Sequence, residues 1–196
     1  NPEIELSIST QCEGEKTLLE AFTNLEDSEI SFSGWDFGDN TILSDSQFTE
    51  HIYNTFGTFN VNFSAISIYG CSNSMNGIAE VNPIPIVDFI VERICEGEST
   101  QFINSSTIVE GSILSYDWDF SEGNTSNYMN PSNVFSSGIY PVTLTVKSVD
   151  NCLSILQKDI NIYAIPQADF LVDREVCEDI EVNFEDNTIT DGNIIS

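Results

Sequence analysis

Five cysteines, a single histidine and a scatter of acids are the residues in this sequence whose types can do chemistry. The cysteines are Cys12, Cys71, Cys95, Cys152 and Cys177, and the histidine is His51. Cysteine with histidine suggests zinc first. The spacing argues against it, because no Cys-x-x-Cys pair exists and His51 stands alone. Catalysis lacks material too. No carboxylate pair, Ser/His/Asp set or phosphate-cradling glycine loop can be discerned, so no catalytic residue is named. His51 is expected to make a structural hydrogen bond inside a loop.

The acids offer a different chemistry. Asp36, Asp39 and Asn40, and again Asp117, Asp119 and Glu122, supply the oxygens that calcium prefers. The plainer reading is that such residues shape tight turns and keep their carboxylates in water. The spacing does not fit an EF-hand loop, and the second set lacks a counterpart of Asp39. No metal site is therefore assigned, with calcium at Asp36, Asp39, Asp117 and Asp119 kept as the alternative. Trp35 and Trp118 are capable of stacking on sugars, but a Trp inside an alternating strand is more often the buried centre of a sandwich.

The cysteines also reveal a period. Cys12 to Cys95 is 83 residues, Cys95 to Cys177 is 82, and Cys71 to Cys152 is 81. Trp35 and Trp118 are the only two Trp and lie 83 apart; Gly57 and Gly138 lie 81 apart. CEGEKT at Cys12 returns as CEGEST at Cys95, and WDFGDN at Trp35 as WDFSEG at Trp118. The chain thus divides into repeat 1 (residues 1–83), repeat 2 (84–165) and the opening of a third (166–196). Each full repeat owns one early and one late cysteine. The expected disulfides are Cys12–Cys71 and Cys95–Cys152, with Cys177 unpaired because its partner would lie in the rest of repeat 3. Each bond would close a loop of roughly 60 residues, for about 4 kcal/mol in the chain-entropy model, and implies an oxidising compartment.

The elements that must position these residues are strands. In TFNVNFSAISI after Gly57, Phe59, Val61, Phe63 and Ala65 share one face. In the matching IYPVTLTVKSV, Tyr140, Val142, Leu144 and Val146 do the same. Tyr116, Trp118 and Phe120 alternate with Asp117 and Asp119. Gly38-Asp39-Asn40 and Glu122-Gly123-Asn124 supply tight hairpins. The best helical stretch, Leu18 to Leu25, aligns with a strand-like part of repeat 2. The fold class is all-β, with a sandwich for each full repeat and a core containing Trp35, Trp118, Tyr53, Phe59 and Tyr140. Pro83, Pro85 and Pro166 make short, stiff joints, so that each repeat should add about 35–40 Å to a semi-rigid rod. Residues Pro166 to Ser196 carry at most two strands, Ala168–Val172 and Glu181–Phe184. Two strands cannot offset the entropy of ordering them. The segment is expected to need the continuation of its own repeat, or a neighbour's strand.

Composition narrows the partners. Hydrophobic residues at 40% support a core, while 32 acids against 5 bases give a net charge of −27. Nucleic acid is excluded as a partner, since nothing here replaces phosphate counterions. An anionic membrane would repel the chain, and no apolar run approaches a membrane span. With no initiator Met and no signal peptide, the chain is expected to be a piece of something larger.

Trp35-Asp36-Phe37-Gly38-Asp39-Asn40, His51-Ile52-Tyr53 and Phe56-Gly57-Thr58-Phe59-Asn60-Val61 resemble the PKD domain. That family reads W-x-F-G-D-G, then H-x-Y, then P-G-x-Y-x-V-x-L-x-V. Repeat 2 departs at Ser121-Glu122 and at Asn133-Val134-Phe135, but GIYPVTLTV at Gly138 is close to the pattern. The resemblance implies immunoglobulin-like sandwiches of an extracellular protein, without an enzymatic role of their own. The paired cysteines and the Ile/Asn/Ser-rich text resemble tandem copies in surface proteins of gliding Bacteroidota, exported by the type IX route. The expected function is a non-catalytic stalk in a cell-surface adhesin. The alternative is a substrate- or glycan-binding accessory module of a secreted hydrolase. Expected partners are neighbouring repeats of the same chain, with surface glycans or other surface proteins as further candidates, and no cofactor.

Overall fold

A computed structural model describes residues 1–172 and 181–189 of the chain. Within them the fold is all-β, apart from one 3-10 turn at Asp27–Glu29. The first set of strands is β1 (Ile4–Ile8), β2 (Gln11–Cys12), β3 (Lys16–Thr23), β4 (Ile30–Asp36), β5 (Ile42–Ser44), β6 (Phe48–Ile52), β7 (Gly57–Ser67) and β8 (Ser72–Asn82). They form a three-stranded sheet ordered β1-β3-β6 and a five-stranded sheet ordered β2-β8-β7-β4-β5. The second set is β9 (Phe89–Glu92), β10 (Ser99–Asn104), β11 (Ile113–Asp119), β12 (Thr125–Ser126), β13 (Ser132–Val134), β14 (Gly138–Ser148) and β15 (Leu153–Ile162). Its sheets run β13-β10-β9 and β12-β11-β14-β15. Last come β16 (Phe170–Val172) and β17 (Phe184–Asp186), an antiparallel pair.

By contacts the chain separates into two compact units. Unit 1 holds Asn1–Ile86, Thr107–Leu114 and Lys147–Ser154; unit 2 holds Val87–Ser106, Ser115–Val146 and Ile155–Ser196. The tip of the β14–β15 hairpin therefore belongs to unit 1.

Period-two alternation becomes burial directly. On β7, Val61, Phe63 and Ala65 are buried while Asn60 is exposed; on β14, Val142, Leu144 and Val146 are buried while Pro141 is exposed. Each Trp packs on aromatic neighbours, Trp35 on one and Trp118 on several. Trp35 is 2% exposed and packs 4.7 Å from Phe63; Trp118 is 1% exposed, 5.0 Å from Phe89 and 5.6 Å from Phe102. Tyr53 is buried, with its hydroxyl donating to the carbonyl of Phe37 at 2.9 Å. Phe59 and Tyr140 are only half-buried, because the alternation reaches the sheet rim where each strand begins. The stretch from Leu18 is strand, within β3.

In the tail the second strand begins at Phe184, where the expected one ends. Both strands leave their apolar side chains exposed, Phe170 and Phe184 among them. Cys177 lies outside the described residues.

Candidate functional site

The four described cysteines lie in or beside the ends of strands or in a bridge, and those positions decide their chemistry. β2 pairs parallel to the last residues of β8, placing Cys12 opposite Asn82. Glu13 N–H donates to the Asn82 carbonyl at 2.9 Å, and Gly14 N–H to that of Tyr53 at 2.8 Å. Cys71 sits at the far end of the same strand, in the β7–β8 turn. Eleven residues of strand at ~3.3 Å each put roughly 36 Å between them. A disulfide needs its Cα atoms within about 7 Å. Cys12–Cys71 is therefore impossible in this sandwich, and Cys95–Cys152 fails for the same reason. Cys95 bridges in parallel to Tyr163, beyond the end of β15, whereas Cys152 occupies the turn before that strand.

The bond that forms joins Cys12 to Cys152, with Cα atoms 5.7 Å apart and a sequence separation of 140. Both residues are buried, and both belong to unit 1. The bond thus runs from the early cysteine of the first sequence repeat to the late cysteine of the second. Among the described residues, Cys71 and Cys95 are free and exposed.

The WDFGDN hairpin of the first repeat is met by the only histidine of the sequence. His51 lies on strand β6 rather than in a loop, its ring stacked on Phe37 at 4.1 Å and edge-on to Tyr53 at 4.6 Å. Its Nε2 donates to Asp39 Oδ2 at 2.7 Å. Asp39 Oδ1 accepts from Thr41 through both backbone N–H, at 3.0 Å, and hydroxyl. Burial works to raise the Asp39 pKa, but the hydrogen bonds from Thr41 and His51 outweigh it and hold the carboxyl below its usual value. The neighbouring Tyr53 phenol is pushed up to about 12 by burial, helped by the charges of Asp39 and Asp36. Thr41, His51 and Asp39 invite comparison with a nucleophile, base and orienter. The geometry is wrong for that, since one ring nitrogen faces both partners and the Thr41 hydroxyl already donates to the carboxylate. The cluster is a lock on the hairpin.

The second repeat lacks this lock. Asn133 stands where His51 does in the first, and its buried Nδ2 has no partner among the described residues. The four aspartates weighed for calcium hold turns where hydrogen bonds are present. Asp36 accepts from Gly38 N–H at 3.0 Å and Asp119 from Ser121 N–H at 2.8 Å. Asp117 lines a shallow groove with Trp118, Asp119 and Thr143. The turns themselves differ. Gly38 adopts φ +80, and a Cβ there would lie 2.4 Å from the Asn60 carbonyl oxygen. At the equivalent point Ser121, also left-handed at φ 73, donates its hydroxyl to the Pro141 carbonyl at 2.8 Å.

A family model described as PKD domain matches residues 1–82 and again 82–160. The chain belongs to the PKD domain family. Its curated relatives include collagenase ColA of Bacillus cereus, 35% identical over 101 residues, which cover 50% of this chain and 10% of that protein. The chain thus spans about a tenth of that relative. Among solved structures, the PKD1 domain of Vibrio anguillarum Epp is 29% identical with a TM-score of 0.39, covering 41% of this chain and 95% of that one. The PKD1 domain of the Vibrio cholerae metalloprotease PrtV is 34% identical with a TM-score of 0.37, covering 40% and 96%.

What sequence reasoning missed at these PKD repeats is the connectivity of the cysteines. One signal was present: Cys71 and Cys152 follow long alternating strands directly and so belong to hairpin tips.

Proposed function

We propose that this chain is a non-catalytic extracellular spacer, a stretch of tandem PKD repeats that holds a binding part of a larger surface protein at a distance. The observation that carries the reading is the Cys12–Cys152 bond, which spans from one repeat to the next instead of closing either one. A spacer under tension gains from cross-links in series along its length. The exit from the first sandwich is also held. Glu13 accepts from Ile84 N–H and from Phe56 N–H, each at 3.2 Å, and Ile86 and Thr107 form a two-way bridge. Oxidising conditions follow from the disulfide and suit a secreted, surface-bound protein. Export from a gliding Bacteroidota cell by the type IX route fits the same reading, with repeats of the same chain as the primary partners.

A second reading has its own support. Collagenase ColA of Bacillus cereus carries sequence of this kind, so accessory modules of a secreted hydrolase are the alternative. Tyr69 and Tyr128 are 80% and 74% exposed, and exposed aromatics are what such a module would present to an insoluble substrate. Co-sedimentation with insoluble collagen, chitin and cellulose separates the two. The spacer stays in the supernatant with all three. Retention on one of them, lost on Tyr128→Ala or Tyr69→Ala, selects the accessory module.

A further inference from the structure

We infer that the disulfide is one rung of a staggered ladder, in which the early cysteine of each repeat bonds the late cysteine of the next. Among the described residues, Cys71 and Cys95 are then open ends of that ladder. Each is built to take the complementary cysteine of an adjoining copy of the same repeat. The inference does not depend on what the repeats do outside the cell.

Among the described residues both half-sites exist twice, once bonded and once open, with the same backbone hydrogen bonds. At the early half-site, Glu13 N–H donates to the Asn82 carbonyl, Gly14 N–H to that of Tyr53, and Glu15 N–H to that of Cys12 at 3.0 Å. Around Cys95 the same three bonds recur. Glu96 donates to Tyr163 at 2.9 Å, Gly97 to Phe135 at 3.0 Å and Glu98 to Cys95 at 3.2 Å. Gly14 and Gly97 share the left-handed turn, at φ 80 and 73.

The late half-site repeats as closely. Cys152 N–H donates to Ser148 Oγ at 3.1 Å, and Ser148 N–H to the Cys152 carbonyl at 2.9 Å. Cys71 N–H donates to Ser67 Oγ at 3.2 Å, and Ser67 N–H to the Cys71 carbonyl at 2.9 Å. Gly70 and Asn151 both turn left-handed, at φ 78 and 67. Around the bonded tip, Val149, Asp150 and Asn151 line one cavity with Thr10, Gln11 and Cys12. The open tip carries Ile68 and Tyr69 at the positions of Val149 and Asp150, and all four are exposed. The Cys95 thiol is exposed where that of Cys12 is buried.

The chemistry balances with a small-molecule disulfide such as oxidised glutathione as the oxidant. The Cys95 thiolate attacks it, forming a mixed disulfide and releasing one reduced glutathione. The Cys71 thiolate of the adjoining copy then attacks the Cys95 sulfur and displaces the second. Two protein thiols lose two protons and two electrons, and one glutathione disulfide becomes two thiols.

The test uses the full 196-residue chain carrying Cys177→Ser, oxidised with glutathione at high protein concentration and mapped by mass spectrometry without reduction. The expected result is a Cys12–Cys152 peptide within each chain and a Cys71–Cys95 peptide between chains. Cys71→Ser and Cys95→Ser should each lose all covalent oligomers when oxidised alone. An equal mixture of the two variants should give covalent dimers and nothing longer. Homotypic Cys71–Cys71 and Cys95–Cys95 links in comparable yield would overturn the inference, as would capping of both thiols by glutathione with no cross-link. A Cys12–Cys71 peptide within one chain would overturn it as well.

Discussion

Asp39 couples the stability of the first repeat to acid pH. Its carboxyl is held below the usual value in the folded state, so ionised Asp39 contributes stability above the unfolded pKa near 3.8. That contribution is lost as pH falls through the lower, folded value. Urea midpoints between pH 6 and pH 2 should therefore drop for the native sequence, and Asp39→Asn should be less stable at pH 6 yet flatter in acid. At the other end of the scale, Tyr53 stays neutral up to about 12 when folded and ionises near 10 when unfolded. Stability from its buried hydroxyl is complete below pH 10 and fades between 10 and 12. Gly38 is decided by space and conformation together. With φ +80 and the Asn60 carbonyl 2.4 Å from a would-be Cβ, Gly38→Ala should cost roughly 1–3 kcal/mol. Gly14 has φ +80 but nothing within 4 Å, so Gly14→Ala should cost less in the same thermal melts.

Strands were legible from the sequence because burial on one face leaves a period of two, and β7 and β14 follow it residue for residue. The hairpin acids and both Trp positions were legible for the same reason. The cysteine pairing was not. It depends on which end of a sandwich each sulfur occupies, and the parallel pairing of β2 with the far end of β8 is a contact between residues about 70 apart with no local signature. The Asp39–His51 pair was half legible. The histidine was expected to make a structural bond, but its partner emerged only when β6 brought it beside the hairpin. Substitution tests the element-scale claim. In the chain-entropy model a loop of 140 residues is worth about 5 kcal/mol. Cys152→Ser should lower the unfolding midpoint sharply and make it insensitive to reductant. Cys71→Ser, at an exposed free thiol, should leave it unchanged.

Across the whole molecule, charge and covalent wiring set the behaviour. A net charge of −27 on 196 residues makes the folded state self-repelling. Raising sodium chloride from 20 to 500 mM shrinks the Debye length from about 20 Å to about 4 Å, and thermal melts should shift upward. The central claim, that a disulfide links one repeat to the next, is tested most directly by pulling a single chain carrying Cys177→Ser from its two ends. With Cys12–Cys152 intact, the intervening 140 residues stay hidden from the force however far the sandwiches unfold. Adding a reductant should then release them in one step of about 500 Å, at up to ~3.6 Å per extended residue. Two separate steps of about 200 Å each would mean that every repeat closes its own bond, and would contradict the account.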